Sequence, residues 1–354
     1  MKVNLTPRLE QLIEEAAERD ASDIFLIPGE PPAMRVPPSH KIERADTDPL
    51  TPEEVKEMAK AALGKKDLAR IGKEVGETSR WCGRSTVVNA TLTVSRSLGD
   101  YTIHVRLSPP RILTVDHIAL PDSLRNILFS PSGLIIFTGL AGSGKSTTAY
   151  TAVDHINIHR PCHICTVEDQ VIVPIPAKKA LVQQRCVGAD VPNTLAGIQA
   201  AMRQDLDVLF INEIKTVEEL EACISVAEQG HLVITVFHAA ATPEESVHRM
   251  IDVFPEDVRD VSRRAIAGCL RAVCAQRLLP KKDKGRVAAY AVLIPDDEMR
   301  KAIAEGRDFM KRETPMPEGC QTMAEHIRRL HDEGVIGEET AKTALADTKG
   351  GVKT

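Results

Sequence analysis

Between Leu134 and Ile156 the chain reads LIIFTGLAGSGKSTTAYTAVDHI: an apolar strand, a glycine-rich turn and a helix in direct succession. Gly139–Thr147 fits G-x-x-x-x-G-K-[ST], with the strand before and the helix after that the pattern requires. Glycines let backbone N–H groups turn inward around phosphate oxygens, and the helix N-terminus adds positive potential. The expected cradle is Gly139, Gly142, Ser143, Gly144, Lys145, Ser146 and Thr147. Lys145 would reach the β- and γ-phosphates, and Ser146 would be a magnesium ligand. A strand feeding such a loop belongs inside a sheet flanked by helices.

The residues after Arg111 keep that rhythm. Short apolar strands are predicted at Leu134–Gly139, His163–Val167, Asp207–Ile211 and Leu232–Phe237. Helices are predicted between and after them, at Ser146–Ile156, Thr194–Gln204, Val217–Gln229 and Glu244–Ile251, with a mainly helical tail from Pro295. Strand–helix alternation implies an α/β fold with a mostly parallel sheet, which places ligands at the carboxyl ends of its strands. Aromatic residues are only 3%, so Val, Ile and Leu must fill such a core.

The first 107 residues read differently, as an α+β module. Leu9–Arg19 has helical spacing, and Asp23–Ile27 reads as a strand. Leu50–Leu63 is a helix with Thr51 as N-cap and Pro52 at the first turn. Strands follow at Ser85–Val94 and Tyr101–Leu107, joined by a turn at Ser97–Asp100. Ser108-Pro109-Pro110 is the expected linker, which gives an N-terminal domain at 1–107, a linker at 108–113 and a second domain at 114–354.

Other chemistry lies at predicted strand ends. Asp207–Glu213 runs from a strand into a carboxylate, and Glu213 is the expected water-activating base. Thr166-Val167-Glu168-Asp169 ends another strand. Glu168 and Asp169 either bind magnesium through water or cap a helix. His231 and His238 bracket Leu232–Phe237. Their odd separation puts them on opposite faces of a straight strand, so one of them is the candidate γ-phosphate sensor.

The composition excludes several classes. There are 45 basic and 50 acidic residues, a net charge of −5, so no global basic field points to nucleic acid. So few aromatics cannot build a base-stacking platform. No apolar run approaches the roughly 20 residues of a membrane span, and the charged, helical N-terminus does not read as a secretory signal. A cytoplasmic location is expected. The eight cysteines are scattered and read as buried free thiols. Cys162-His163-Ile164-Cys165 has no second ligand pair at zinc-site spacing.

Together these segments resemble the secretion-ATPase superfamily of type II and type IV secretion and type IV pili, and within it the pilus-retraction branch. Ala21-Ser22-Asp23-Ile24, Gly29-Glu30-Pro31-Pro32 and Met34-Arg35-Val36 resemble its N-terminal signature. Gly139–Thr147 resembles its phosphate loop, Thr166–Asp169 its aspartate box, Asp205–Glu213 its Walker B region and Gly230–His238 its histidine box. Gly319–Met323 resembles the retraction-type C-terminal region. The resemblance covers nearly the whole chain.

The resemblance implies a PAS-like N-terminal domain, a RecA-like P-loop ATPase domain and a homohexameric ring using ATP and Mg2+. It also implies a cytoplasmic motor, peripheral at the inner membrane, that acts on a membrane platform protein. The catalytic set it suggests is Glu213, Lys145, His238, Glu168 and Arg106, with Arg96 as a second arginine of the N-terminal domain toward the nucleotide. Magnesium would fall to Ser146, Glu168 and Asp169. The chain departs from the family where Ile172 replaces the second glutamate of Glu-Asp-Pro-Ile-Glu. It departs again where Asn212-Glu213-Ile214-Lys215-Thr216 replaces Gly-Glu-Met-Arg-Asp. Slow hydrolysis is one expectation from these changes. A nucleotide-binding scaffold and an assembly or export motor are the alternative readings.

Overall fold

Six strands of the larger sheet run parallel and bring their carboxyl ends to one edge. The computed structural model describes residues 5–36, 41–71, 73, 77–84, 89–108, 112–238, 242–283, 285–312 and 314–349, with backbone alone for 77–84, 89, 108 and 349. The chain divides into two compact units, Met1–Ile112 with Asp169–Pro174, and Leu113–Glu168 with Ile175–Thr354. The predicted linker at Ser108–Pro110 falls largely outside the described residues.

The first unit holds α1 (Pro7–Glu18), β1 (Asp23–Leu26), β2 (Ala33–Val36), β3 (Lys41–Arg44), α2 (Pro52–Leu63), α3 (Lys65–Arg70), β4 (Glu77–Arg84), β5 (Asn89–Ser97) and β6 (Asp100–Ser108). Its antiparallel sheet has the order β3-β2-β1-β6-β5-β4. Thr6 and Thr51 cap the two long helices, and Thr51 with Glu54 forms a reciprocal capping box. Alternation decides which face is dry. Ile24, Leu26, Leu92, Val94, Ile103 and Val105 share one core with Leu9, Leu12, Val55 and Met58 of the helices. The residues between them are Asp23, Phe25, Thr91, Thr93, His104 and Arg106, a face that is polar apart from Phe25, which stacks on His104. The β5–β6 turn carries Leu98 and Gly99 at positive φ, as a two-residue hairpin turn requires.

The second unit begins with α4 (Asp122–Ile127), β7 (Gly133–Thr138), α5 (Lys145–His159), β8 (His163–Glu168), β9 (Leu181–Cys186) and α6 (Thr194–Met202). It continues through β10 (Val208–Ile214), α7 (Val217–Glu228), β11 (Leu232–Phe237), α8 (Pro243–Asp252) and α9 (Glu256–Cys269). It ends with β12 (Leu270–Pro280), β13 (Arg286–Leu293), α10 (Asp297–Glu305), α11 (Met323–Asp332) and α12 (Glu338–Lys349). The sheet order is β13-β12-β7-β11-β10-β8-β9, and β13 is the antiparallel edge. β7 and β11 are buried along their whole length, as continuous apolar runs in a parallel sheet should be. The α/β architecture with a helical C-terminal region is as expected. The antiparallel pair β12–β13 lies where the sequence reading predicts no strand. Leu279 and Ala289 of that pair pack with Ile327, Leu330, Ala341 and Ala344, which seats the helical tail.

Candidate functional site

β7 delivers the chain directly into the phosphate loop. Gly139 (φ +139), Gly142 (φ +75) and Gly144 (φ +89) adopt conformations that disfavour side chains. At Gly139 a Cβ would lie 2.5 Å from the Gln276 carbonyl oxygen, so this glycine is also dictated by the neighbouring strand. Gly144 caps α5 without a side-chain hydrogen bond to the first turn. That leaves the α5 N-terminus as an anion site. The buried Lys145 ammonium donates to the Leu140 carbonyl at 2.7 Å. Burial lowers its pKa, and the charge of Glu213 works against that shift. Ser146 is half-buried and Thr147 exposed at the same helix start.

Two strands away, β10 carries Glu213. Pairing of β10 with β11 shifts register between Ile211 and Ile214: Ile211 faces Thr235, but Ile214 faces Phe237. The extra residue in β10 forms an irregularity at Asn212-Glu213, a device that re-aims side chains at the end of a strand. His238 follows β11 directly, with Nε2 at 3.4 Å from Glu213 Oε1. Asn212 Oδ1 is buried with no hydrogen-bond partner among the described residues. Loop, lysine, glutamate and histidine thus gather at the carboxyl ends of the adjacent strands β7, β11 and β10.

His231 lies at the other end of β11, where Nδ1 meets the Leu206 carbonyl at 2.8 Å. Of the two bracketing histidines, only His238 is at the strand end that holds Glu213.

Glu168 ends β8 and is 1% exposed. Its Oε1 accepts from Thr166 Oγ1 at 2.5 Å and Gln184 Nε2 at 3.0 Å, and its Oε2 accepts from the Tyr150 hydroxyl of α5. Burial pushes its carboxyl up to about 7 against those three hydrogen bonds. Both oxygens are engaged by the protein. Asp169 belongs to the first unit with the rest of Asp169–Pro174. There the Val171 carbonyl accepts from Thr91 Oγ1, and Gln170 Nε2 donates to Thr93 Oγ1 at 3.0 Å.

The two arginines lie in the first unit. Arg106 is paired with Asp23 across β6 and β1, its Nε 3.4 Å from Oδ1, and its side chain is 58% exposed. Asp23 also meets His104 Nε2 at 2.8 Å and accepts from Ser22 Oγ at 2.7 Å. Burial opposes ionisation of Asp23, yet the His104 and Ser22 hydrogen bonds and the Arg106 charge bring its pKa down to about 2. Arg96 donates to the Gly99 carbonyl and stacks over Tyr101 with its guanidinium 5.3 Å from the ring centre.

Some of these partnerships carry no local signal. Asp23 is 83 residues from Arg106, and only strand register joins them. Thr216, where the family has aspartate, caps α7 and forms a reciprocal capping box with Glu219. No group of three or more metal-ligating side chains comes together among the described residues. Cys162 and Cys165 are buried thiols.

Residues 105–343 match the family described as Type II/IV secretion system protein. The protein YggR of Escherichia coli strain K12 is 30% identical over 304 residues, which covers 84% of this chain and 90% of YggR. The type IV pilus retraction ATPase PilT of Pseudomonas aeruginosa is 28% identical over 335 residues, 94% of this chain and 96% of its own. A crystal structure of the pilus retraction motor PilT with bound ADP superposes with a TM-score of 0.82. It is 34% identical and covers 96% of this chain and 97% of that one.

Proposed function

This chain belongs to the type II/IV secretion system protein family, and on that premise we propose that it is a hexameric ATP-driven motor that retracts type IV pili. It is an ATPase of the pilus and secretion type. The retraction reading is supported by likeness to PilT over both units rather than over the nucleotide sheet alone. The observation that carries the chemistry is the meeting of the phosphate loop, Glu213 and His238 at adjacent strand ends.

ATP would lie on Gly139, Gly142, Ser143, Gly144, Lys145, Ser146 and Thr147. Lys145 would leave the Leu140 carbonyl for the phosphates, exchanging one oxygen acceptor for a charged one. Glu213 would orient a water and accept its proton as the water oxygen attacks the terminal phosphorus and ADP leaves. His238, beside Glu213, would report the terminal phosphate. Arg106 would supply positive charge to the transferred group and Arg96 toward the nucleotide, within a ring in which these roles can cross between chains. Catalysis of this kind is positioning plus electrostatics.

A magnesium ion fits part of the expected donor set. Ser146 and the orphaned Oδ1 of Asn212 are the residues we propose would hold it, and a bound ion would supply charge that neutralises the phosphates. Glu168, with both oxygens engaged, fits a tie between β8, β9 and α5 better than a metal ligand. Asp169 would act through water. The ring would work in the cytoplasm against a platform protein of the inner membrane. No helix among the described residues is long and apolar enough to cross a membrane.

ATP turnover by size-separated protein tests this reading. Lys145→Ala is expected to lower turnover by about 10²-fold or more with the assembly state unchanged. Full turnover in that variant would refute the loop assignment. A monomeric active species would refute the ring.

A further inference from the structure

β12 lies beside β7, and its Ala275 pairs with Thr138, so Gln276 stands level with the first residue of the phosphate loop. One residue thereby stands against two glycines of the loop. The Gln276 backbone oxygen lies 2.5 Å from where a Gly139 Cβ would be. Its side-chain Nε2 lies 2.7 Å from where a Gly144 Cβ would be. The residue is 4% exposed. Its Oε1 is buried with no hydrogen-bond partner among the described residues, and so is the hydroxyl of Ser143 within the loop. Ser143 Oγ flanks the same point as the Gln276 carbonyl, 2.9 Å from the Gly139 Cβ position. Buried acceptors and hydroxyls without partners are rare and costly, and here two of them adjoin one loop.

We propose that Gln276 is a positioning residue for the phosphate loop. Its backbone bounds Gly139 and its carboxamide bounds Gly144, which together set the separation of the two glycines, and its Oε1 receives a donor, the Ser143 hydroxyl, when the loop closes on the phosphates of a nucleotide. The inference rests on the reading of Gly139–Thr147 as the ATP site. A loop that loses a bond to its own Lys145 on binding, and gains one from Ser143 to Gln276, exchanges internal contacts instead of only losing them. Gln276 touches no phosphate in this scheme and acts through the shape of the loop.

Gln276→Met retains the volume and removes the amide. It is expected to leave the thermal midpoint of the nucleotide-free protein unchanged or raised, because a partnerless buried acceptor is gone. It is also expected to weaken ADP and ATP binding by roughly five- to tenfold, about one buried hydrogen bond. AMP, whose single phosphate makes fewer loop contacts, should be affected least. Competition against a fluorescent nucleotide measures all three. Ser143→Ala, a small change that folds independently of the Gln276 result, should weaken ADP binding similarly. The double variant should be no weaker than either single one.

Unchanged ADP affinity in Gln276→Met, an equal loss for AMP, or strictly additive losses in the double variant would overturn the proposal. Lys145→Ala is the control that separates the two readings. If it leaves ADP affinity intact, the loop assignment itself fails. If it weakens ADP and Gln276→Met does not, only the role of Gln276 falls.

Discussion

The imidazole Nε2 of His238 lies 3.4 Å from a carboxylate oxygen of Glu213. The two residues come from neighbouring parallel strands, and the irregularity in β10 shifts one strand against the other just where they meet. A regular β10 would carry Glu213 in step with β11, with no re-aiming at its end. The geometry gives Glu213 a neighbour that can carry charge, at the distance of an ion pair rather than a tight hydrogen bond.

Glu213→Gln removes the proton acceptor and retains the shape. Turnover should fall by roughly 10²–10⁴-fold, the usual contribution of a positioned base, while ADP affinity is preserved. Single-turnover hydrolysis separates the two effects. An unchanged rate would take the base role away from Glu213.

Asp23→Asn tests the tie that holds Arg106. Asp23 has a folded-state pKa of about 2, below its ordinary value near 3.8, so its ionised form stabilises the fold above the ordinary value. That stabilisation is lost as pH falls through about 2. The variant should therefore be destabilised on the order of 1–2 kcal/mol at pH 7 and match the parent at low pH. Urea midpoints at pH 7 and pH 3 report this: pH 3 lies between the folded and ordinary pKa values, so about half of the difference should remain there and the rest should go below about pH 2. Equal midpoints at pH 7 would mean that the pairing with Arg106 is energetically idle.

Glu168 shifts in the opposite direction. Its carboxyl keeps a proton up to about pH 7 in the fold but releases it near 4.5 when unfolded. The folded state thus holds more protons across that window, and stability from this group declines as pH rises through it. Glu168→Gln should flatten the decline and be the more stable protein at pH 8, by a few kcal/mol at most. Thermal midpoints at pH 5 and pH 8 for both proteins provide the comparison. A variant that is less stable at pH 8 would show that the ionised carboxylate is the form the site prefers.

Thr216 replaces an aspartate of the family yet retains a capping side chain on α7. Thr216→Ala should cost about 1 kcal/mol, and Thr216→Asp should cost little, since both natural residues satisfy the same orphan N–H. Chemical denaturation gives the stability. If Thr216→Asp also raises ATP turnover, the carboxylate has a second task beyond the cap.

The phosphate loop was legible because its glycines, strand and helix are contiguous and each has a local cause. The four sheet strands around it were legible as apolar runs, and the N-cap Thr51 has a local signature. β12 was not, because LRAVCAQRLLP mixes arginines and a glutamine into its apolar run. Arg271 reaches the Ser132 carbonyl and Arg277 reaches Asp347, partners 139 and 70 residues away in sequence. The β10 irregularity depends on register with β11, which no single segment encodes. Burial of Glu168 needed Tyr150 and Gln184, from two other elements. A carboxylate at a strand end reads as solvated until those donors are known. Gln276 lacked any motif, and its significance arises only from the glycines beside it.

The excursion of Asp169–Pro174 into the first unit has a consequence for anyone who rebuilds this chain. The polypeptide passes from one unit to the other after residues 112, 168 and 174, so no single cut releases either half. Removing the first 112 residues strands Gln170 and Val171 without Thr93 and Thr91. A foreign N-terminal module grafted at that boundary would meet a hexapeptide shaped for another sheet. A working chimera would have to carry both pieces, and a library that shuffles only at residue 112 should yield few functional members.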